Sequence, residues 1–238
     1  MGGRGVGGRG VDTGRSGRVV GLDAAGRHGW LGTVVDDSGF VAARCGTAAD
    51  VIEWAGPVDA IGIDIPIGYV HGGLRSADVQ ARAFVGPRSS SVFAAPPLEV
   101  LDAESYVAAN QILTAMGVPK LSRQAWNLVP RIVEVAAIAR SDPRVVEVHP
   151  EVSFAVMAGQ PLVWSKKSWN GLQQRRRLLA SAGIVLPDES ESFLGVVTDD
   201  VVDAAAAAWS ARRVANGTAC TFPDPPERSD GRPVAIWC

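Results

Sequence analysis

The chain has 238 residues, of which 47% are hydrophobic and 20% charged, with a formal net charge of −2. That is the composition of an ordinary globular protein, long enough to bury a substantial core. No apolar run approaches the roughly 20 residues of a membrane-spanning helix, and the N-terminus has no apolar signal core. The three cysteines, Cys45, Cys220 and Cys238, lack the spacing of a disulfide framework or a metal knuckle. The expected setting is a reducing cytoplasm.

Residues 1–18 are rich in Gly and Arg and nearly devoid of apolar side chains. Such a stretch cannot bury enough surface to offset its ordering entropy and is predicted to be a disordered tail. Its Arg4, Arg9, Arg15 and Arg18 could brush nucleic acid. Without the tail's four arginines and one aspartate, the net charge of residues 19–238, expected to form a single domain, moves from −2 to −5. A protein that grips phosphates by charge alone has a basic footprint, so a polyanionic ligand here would need metal ions or local basic patches.

In chain order, the first three elements read as strands over Arg18–Asp23, Gly29–Val35 and Phe40–Cys45. Asp36-Asp37-Ser38-Gly39 supplies hairpin chemistry between the last two. Thr47–Ala55 reads as a short helix with Thr47 as N-cap. In Ala60–Gly68, Ile61, Ile63 and Ile65 alternate with Gly62, Asp64 and Pro66, the period of a strand whose second face carries one carboxylate. The order is β-β-β-α-β, with two antiparallel links followed by a crossover to a parallel neighbour. Residues 67–143 form a helical insertion, with helices over Ser76–Val85, Ala103–Met116 and Arg123–Arg140, and Pro130 is expected to kink or break the last. Arg144–Glu151 reads as a strand presenting Glu147, His149 and Glu151 on one face. Helices follow over Trp169–Ala182 and from Thr198 to Val214, and Cys220–Cys238 reads as an extended, Pro-rich wrap.

Gly21-Leu22-Asp23 and Gly62-Ile63-Asp64 each place an aspartate near the C-terminal end of a strand, so two carboxylates are expected at one sheet edge. The last helix opens Thr198-Asp199-Asp200-Val201-Val202-Asp203-Ala204, where Asp200 and Asp203 share a face. Asp199 or Asp200 can equally cap that helix and favour its positive end; Asp203 lies beyond a cap's reach. Four such carboxylates suit hard, oxygen-seeking cations such as Mg²⁺, and paired cations clamp the attacking and leaving oxygens of a phosphoryl displacement.

This set of motifs resembles the ribonuclease-H-like fold and, within it, is similar to the family called domain of unknown function 429, described as predicted RNase-H-like nucleases. The matching motifs begin with Gly21-Leu22-Asp23, Asp64-Ile65-Pro66-Ile67-Gly68, and Arg88-Ser89-Ser90-Ser91-Val92-Phe93 followed by Pro96-Pro97. Leu121–Trp126, Glu147–Phe154, Ser165-Lys166-Lys167 and Asp199–Ala204 continue the match, which covers about residues 19–214. The turn after Asp23, Ala24-Ala25-Gly26-Arg27-His28-Gly29-Trp30, departs from the Gly-x-x-Gly-Gly-Trp-like run expected there. The implied fold is α/β, a mixed sheet in the order β-β-β-α-β-[helical insertion]-β-α with helices on both faces.

Other residues suit such a site. Glu151 can supply an oxygen ligand, and His149 can relay a proton or be a satisfied structural histidine; Glu147 can serve simply to balance a neighbouring Arg. Arg88 with Ser89 and Ser90 has the makings of an anion cradle. Arg75, Arg82 and Arg123 either line the same cavity or are surface charges. Lys166, Lys167 and Arg175–Arg177, with Trp164 and Trp169, can follow a phosphate backbone and stack bases, or form an exposed helix face.

The expected function is a metal-dependent phosphodiester hydrolase. Asp23, Asp64, Asp200 and Asp203 hold Mg²⁺ or Mn²⁺, helped by Glu151, while Arg88, Ser89, Ser90, Arg123, Lys166 and His149 handle a nucleic acid or nucleotide-like substrate. Two other classes stand beside it: an ATP-using phosphotransferase of the actin-like and sugar-kinase type, and a non-catalytic nucleic-acid-binding module.

Overall fold

A computed structural model describes residues 15–229 and 231–238. Most of the expected tail lies outside the described residues. Of its described residues, Ser16 and Gly17 donate their backbone N–H groups to the Asp59 carboxylate.

A five-stranded mixed sheet is built from β1 (Val19–Ala24), β2 (Trp30–Asp36), β3 (Gly39–Gly46), β4 (Ala60–Ile63) and β5 (Val145–Glu147), in the spatial order β3-β2-β1-β4-β5. The β1–β2 and β2–β3 pairs are antiparallel, whereas β4 runs parallel to both β1 and β5. This is the order expected of the ribonuclease-H-like fold. Helix α1 (Ala48–Ala55) makes the crossover, its Thr47 forming a reciprocal capping box with Asp50. On one face, Val20, Leu22, Ile61 and Ile63 pack against α1 and α4 (Arg123–Ser141). On the other, Val19, Leu31, Val35 and Ala60 pack against α5 (Pro150–Ala158) and α7 (Thr198–Ala215).

The glycines of the two Gly-x-Asp strands explain how α7 sits. Gly21 and Gly62 are paired across β1 and β4. A Cβ on Gly21 would collide with Ala208 N and Ala204 O, and one on Gly62 would lie 2.6 Å from Ala207 O. The completely buried run Ala204–Ala208 therefore lies backbone to backbone on the sheet. Side chains at positions 21 and 62 must be absent, and those of α7 must be small. The same parity directs Asp23 and Asp64 toward α7.

Between β4 and β5 the chain carries α2 (Ser76–Val85), α3 (Tyr106–Ala115) and α4. Pro130 neither breaks nor ends α4, which continues to Ser141 because Ile132, Val135 and Ala139 beyond it are locked into the core. The expected strand over Arg144–Glu151 ends at Glu147, and Pro150 instead occupies the first turn of α5, where a missing N–H costs nothing. Glu151 is thus a helical residue. After α6 (Trp169–Ser181) and α7, the expected wrap is a hairpin of β6 (Thr221–Ser229) and β7 (Arg232–Trp237), joined to the main fold by a bridge between Val148 and Trp237. The hairpin sets Cys220 opposite Cys238, with their Sγ atoms 2.8 Å apart; both thiols, and that of Cys45, are free. Among the described residues no helix is long and apolar enough to cross a membrane.

The turn after Asp23 keeps glycine where conformation demands it. Gly26 and Gly29 have φ of 54° and 80°, and a Cβ on Gly29 would strike Gly46 O. Ala25, in the same turn, has a φ of −102° and needs no such freedom.

Candidate functional site

The parallel pairing of β1 with β4 brings Asp23 and Asp64 to one sheet edge, since Asp64 N donates to Leu22 O at 2.9 Å. Asp203, one turn into α7, joins them from above, and all three line a cavity of about 270 Å³. Lys166, from the loop before α6, reaches into the cluster: its ammonium donates to Asp203 Oδ2 and lies 3.6 Å from Asp199 Oδ2. Asp200 sits at the flank and does not line the cavity. It does not cap α7 either, because the N-cap is Val197 and no side chain caps it.

Crowding of like charges marks the electrostatics. Burial, then Asp64 and Asp203, push the Asp23 carboxyl well above its ordinary value, against the pull of Lys166. Burial also raises Asp203 to about 6, with Lys166 opposing it and Asp64 adding to it. Asp200 rises to about 6 through burial and its neighbour Asp199. Burial works against the charge on Lys166, but Asp203 outweighs it and holds the ammonium protonated.

These raised values carry a testable sign. A carboxyl that binds its proton more tightly when folded makes the protein more stable as pH falls from the folded value, about 6 for Asp203, toward the ordinary value of roughly 4. Above that window the ionised cluster is a net cost. Asp23→Asn is therefore expected to unfold about 1 kcal/mol later than the natural protein at neutral pH. Urea titrations across the acid range should show that advantage shrinking as pH drops toward 4. A variant that is less stable at every pH would show that Asp23 is not held against its neighbours.

Behind the carboxylates lies a buried ionic scaffold. Arg75, 1% exposed, is held by Asp78 through Nε at 3.1 Å and Nη2 at 2.5 Å, and by Glu147 through Nη1 at 2.8 Å and Nη2 at 2.7 Å. Glu147 also accepts from Ile67 N, Arg75 donates to Gly68 O, and Asp78 accepts from Ala95 N. The loop after Asp64, the first insertion helix and β5 are thereby fixed to one guanidinium. A second pairing holds Glu151, which accepts from Arg175 Nη2 at 2.8 and 2.7 Å, with Arg88 Nε 3.5 Å away.

The expected site residues divide accordingly. Asp23, Asp64, Asp203, Lys166, Arg88, His149 and Glu151 line the cavity, but the Glu151 carboxylate is engaged by Arg175, against its expected role as a free oxygen ligand. Ser91, not Ser89 or Ser90, reaches the wall, because Gly86–Ser91 winds as a 3₁₀ turn. Arg123 lies 4.0 Å over the Tyr106 ring and outside the cavity. Arg175 is fully buried and Arg176 pairs with Asp188, so the arginine run is not a continuous phosphate-tracking face. His149 Nε2 donates to Ser91 O at 3.2 Å, which leaves Nδ1 as the free acceptor, buried without a partner. Asp78, which also lines the cavity, has one faint mark in the sequence, an acid three residues after an Arg at a helix start.

All-oxygen donors that outnumber the one Lys166 ammonium beside them fit a hard divalent cation in chemistry. Among the described residues no group of three His, Cys, Asp or Glu is disposed to hold a metal ion as it stands. The cation the cluster closes around is the Lys166 ammonium.

A family model described as "Protein of unknown function (DUF429)" matches residues 10–228, and the chain belongs to that family. No curated protein and no solved structure matches it.

Proposed function

From membership of the DUF429 family and a ribonuclease-H-like sheet, we propose that the chain is a cation-dependent hydrolase of phosphodiesters, with a nucleic acid or a nucleotide-like compound as substrate. One observation carries the reading: Asp23, Asp64 and Asp203, from three separate elements, crowd into one cavity whose burial and mutual repulsion raise two of their pKa values. Three carboxylates in one cavity face a single ammonium, Lys166, and a group of acids in a cleft with shifted pKa values marks a candidate site for a cation.

Asp23, Asp64 and Asp203, with Asp200 at the flank, would hold Mg²⁺ or Mn²⁺, Lys166 yielding its place on Asp203. Bound there, the ion would neutralise the carboxylates and polarise the phosphodiester. The remaining work falls to the chain's own residues. Arg88, whose Nε lies 3.5 Å from the Glu151 carboxylate, would turn its guanidinium to a phosphate oxygen, and Lys166 and Lys167 would oppose charge growing on the phosphoryl group. His149, a lining residue whose Nδ1 is buried, would have to turn that atom into the cavity to take a proton as water bonds to phosphorus and the bond to the leaving oxygen opens, solvent protonating that oxygen.

Hydrolysis of bis-nitrophenyl phosphate and of single-stranded DNA and RNA tests this. Activity should require added Mg²⁺ or Mn²⁺, and Asp64→Asn, folded by circular dichroism, should lose more than the roughly 10–100-fold that an outer partner of a metal costs. Turnover that survives chelation, or survives Asp64→Asn, would refute the proposal. A second reading, a non-catalytic nucleic-acid-binding module, is favoured by Lys166 already closing the cluster. It requires binding that weakens with salt and ignores divalent ions.

A further inference from the structure

With only the sheet and α7, the carboxylates would stand in an open groove at the sheet edge. Residues of the insertion between β4 and β5 turn it into a partly enclosed cavity. Leu128 and Ile132 of α4 and the Val92–Pro96 segment line the same cavity as Asp23 and Asp64, and they are apolar. Across the Phe93–Ala95 segment lies a second cavity of about 220 Å³, which shares Phe93, Ala94, Ala95 and Ala125 with the first. Arg82 and Lys120 line it, and no acidic residue does. Together the two chambers fall within the roughly 300–1,000 Å³ that encloses a ligand of drug size. Phe93 stands on their shared wall with 39% of its surface exposed.

We infer that this site takes a single-stranded end about two nucleotides long, not an internal bond of a continuous duplex; the inference rests on the phosphodiesterase reading above. The charges are sorted as such a ligand needs them. The phosphodiester to be cut meets the carboxylates, a neighbouring base meets apolar wall and the Phe93 ring, and the next phosphate meets Lys120 and Arg82. A double helix could reach the walled carboxylates only by extruding a nucleotide and losing its stacking.

The test uses the full chain in Mn²⁺ and three probes: a phosphorothioate-linked dinucleotide, a phosphorothioate single strand, and a covalently closed duplex dumbbell. The dinucleotide and the single strand should bind and the dumbbell should not. Phe93→Ala should weaken dinucleotide binding about tenfold, the loss of one stacked base, while Mn²⁺ binding stays unchanged. A dumbbell that binds as tightly as the dinucleotide, or an unchanged dinucleotide affinity in Phe93→Ala, would overturn the inference and leave the phosphodiesterase reading intact. Absence of binding by Mn²⁺ and by all three probes would overturn both.

Discussion

Arg75→Ala should cost about 3–5 kcal/mol of stability, because it strands two carboxylates in a buried setting without their cation. Asp78 and Glu147 are 2% and 5% exposed, and each meets Arg75 through two hydrogen bonds. Burial already raises Glu147, with Arg75 the main opposing influence. Removing the guanidinium takes away the main force opposing burial, so Glu147 binds its proton still more tightly in the folded state than in the unfolded one. The variant must therefore regain stability as pH falls toward the ordinary carboxylate range. Arg75→Lys keeps the charge but cannot fork onto two carboxylates, and most of the loss should persist. Urea unfolding at several pH values checks both statements. A loss that is independent of pH would mean that Arg75 acts by packing alone. The same scaffold holds Ile67 and Gly68, so Arg75→Ala should also loosen the loop that carries Asp64.

Gly21→Ala is the second large effect. One methyl group at this position meets the backbone of α7, at Ala204 O and Ala208 N, rather than a side chain that could turn away. Overpacking of a core that can adjust costs about 1–3 kcal/mol, and a clash with two backbone segments belongs at or beyond the top of that range. Lifting α7 off the sheet would also withdraw Asp203 from Asp23 and Asp64. Gly26→Ala is the informative control, because a Cβ there meets nothing and only the φ of 54° opposes it. Denaturant midpoints for the two variants should differ widely. Equal midpoints would show that the close approach of α7 is not a constraint.

The β1–β4 order was legible because each strand alternates its apolar residues, and because the Gly-x-Asp repeat put both aspartates on one face at one end. The purpose of the glycines was less visible. Nothing in Gly21 and Gly62 announces a partner, and only the fully buried alanines of α7 show why both positions lack side chains. Helix α5 was hidden for a related reason. Its residues Pro150–Ala155 are buried on every side, so it has no polar stripe to reveal a helical period, and the preceding apolar residues invited a longer strand. That error put Glu151 on the same face as Glu147 and His149, whereas the helical turn delivers it to Arg175. The ionic scaffold was legible only in part: Glu147 was read as the partner of some Arg, but the pairing with Arg75 spans 72 residues. Long-range pairings of this kind follow from topology, and local pattern does not record them.

The proposed hydrolase requires that Asp23, Asp64 and Asp203 together bind a cation. Calorimetric titration of Mn²⁺ into the natural protein and into Asp64→Asn, both confirmed folded, tests it without knowledge of the substrate. Binding by the natural protein that Asp64→Asn abolishes is the predicted result. No binding by the natural protein, alone or with a phosphorothioate single strand present to complete the site, would contradict it.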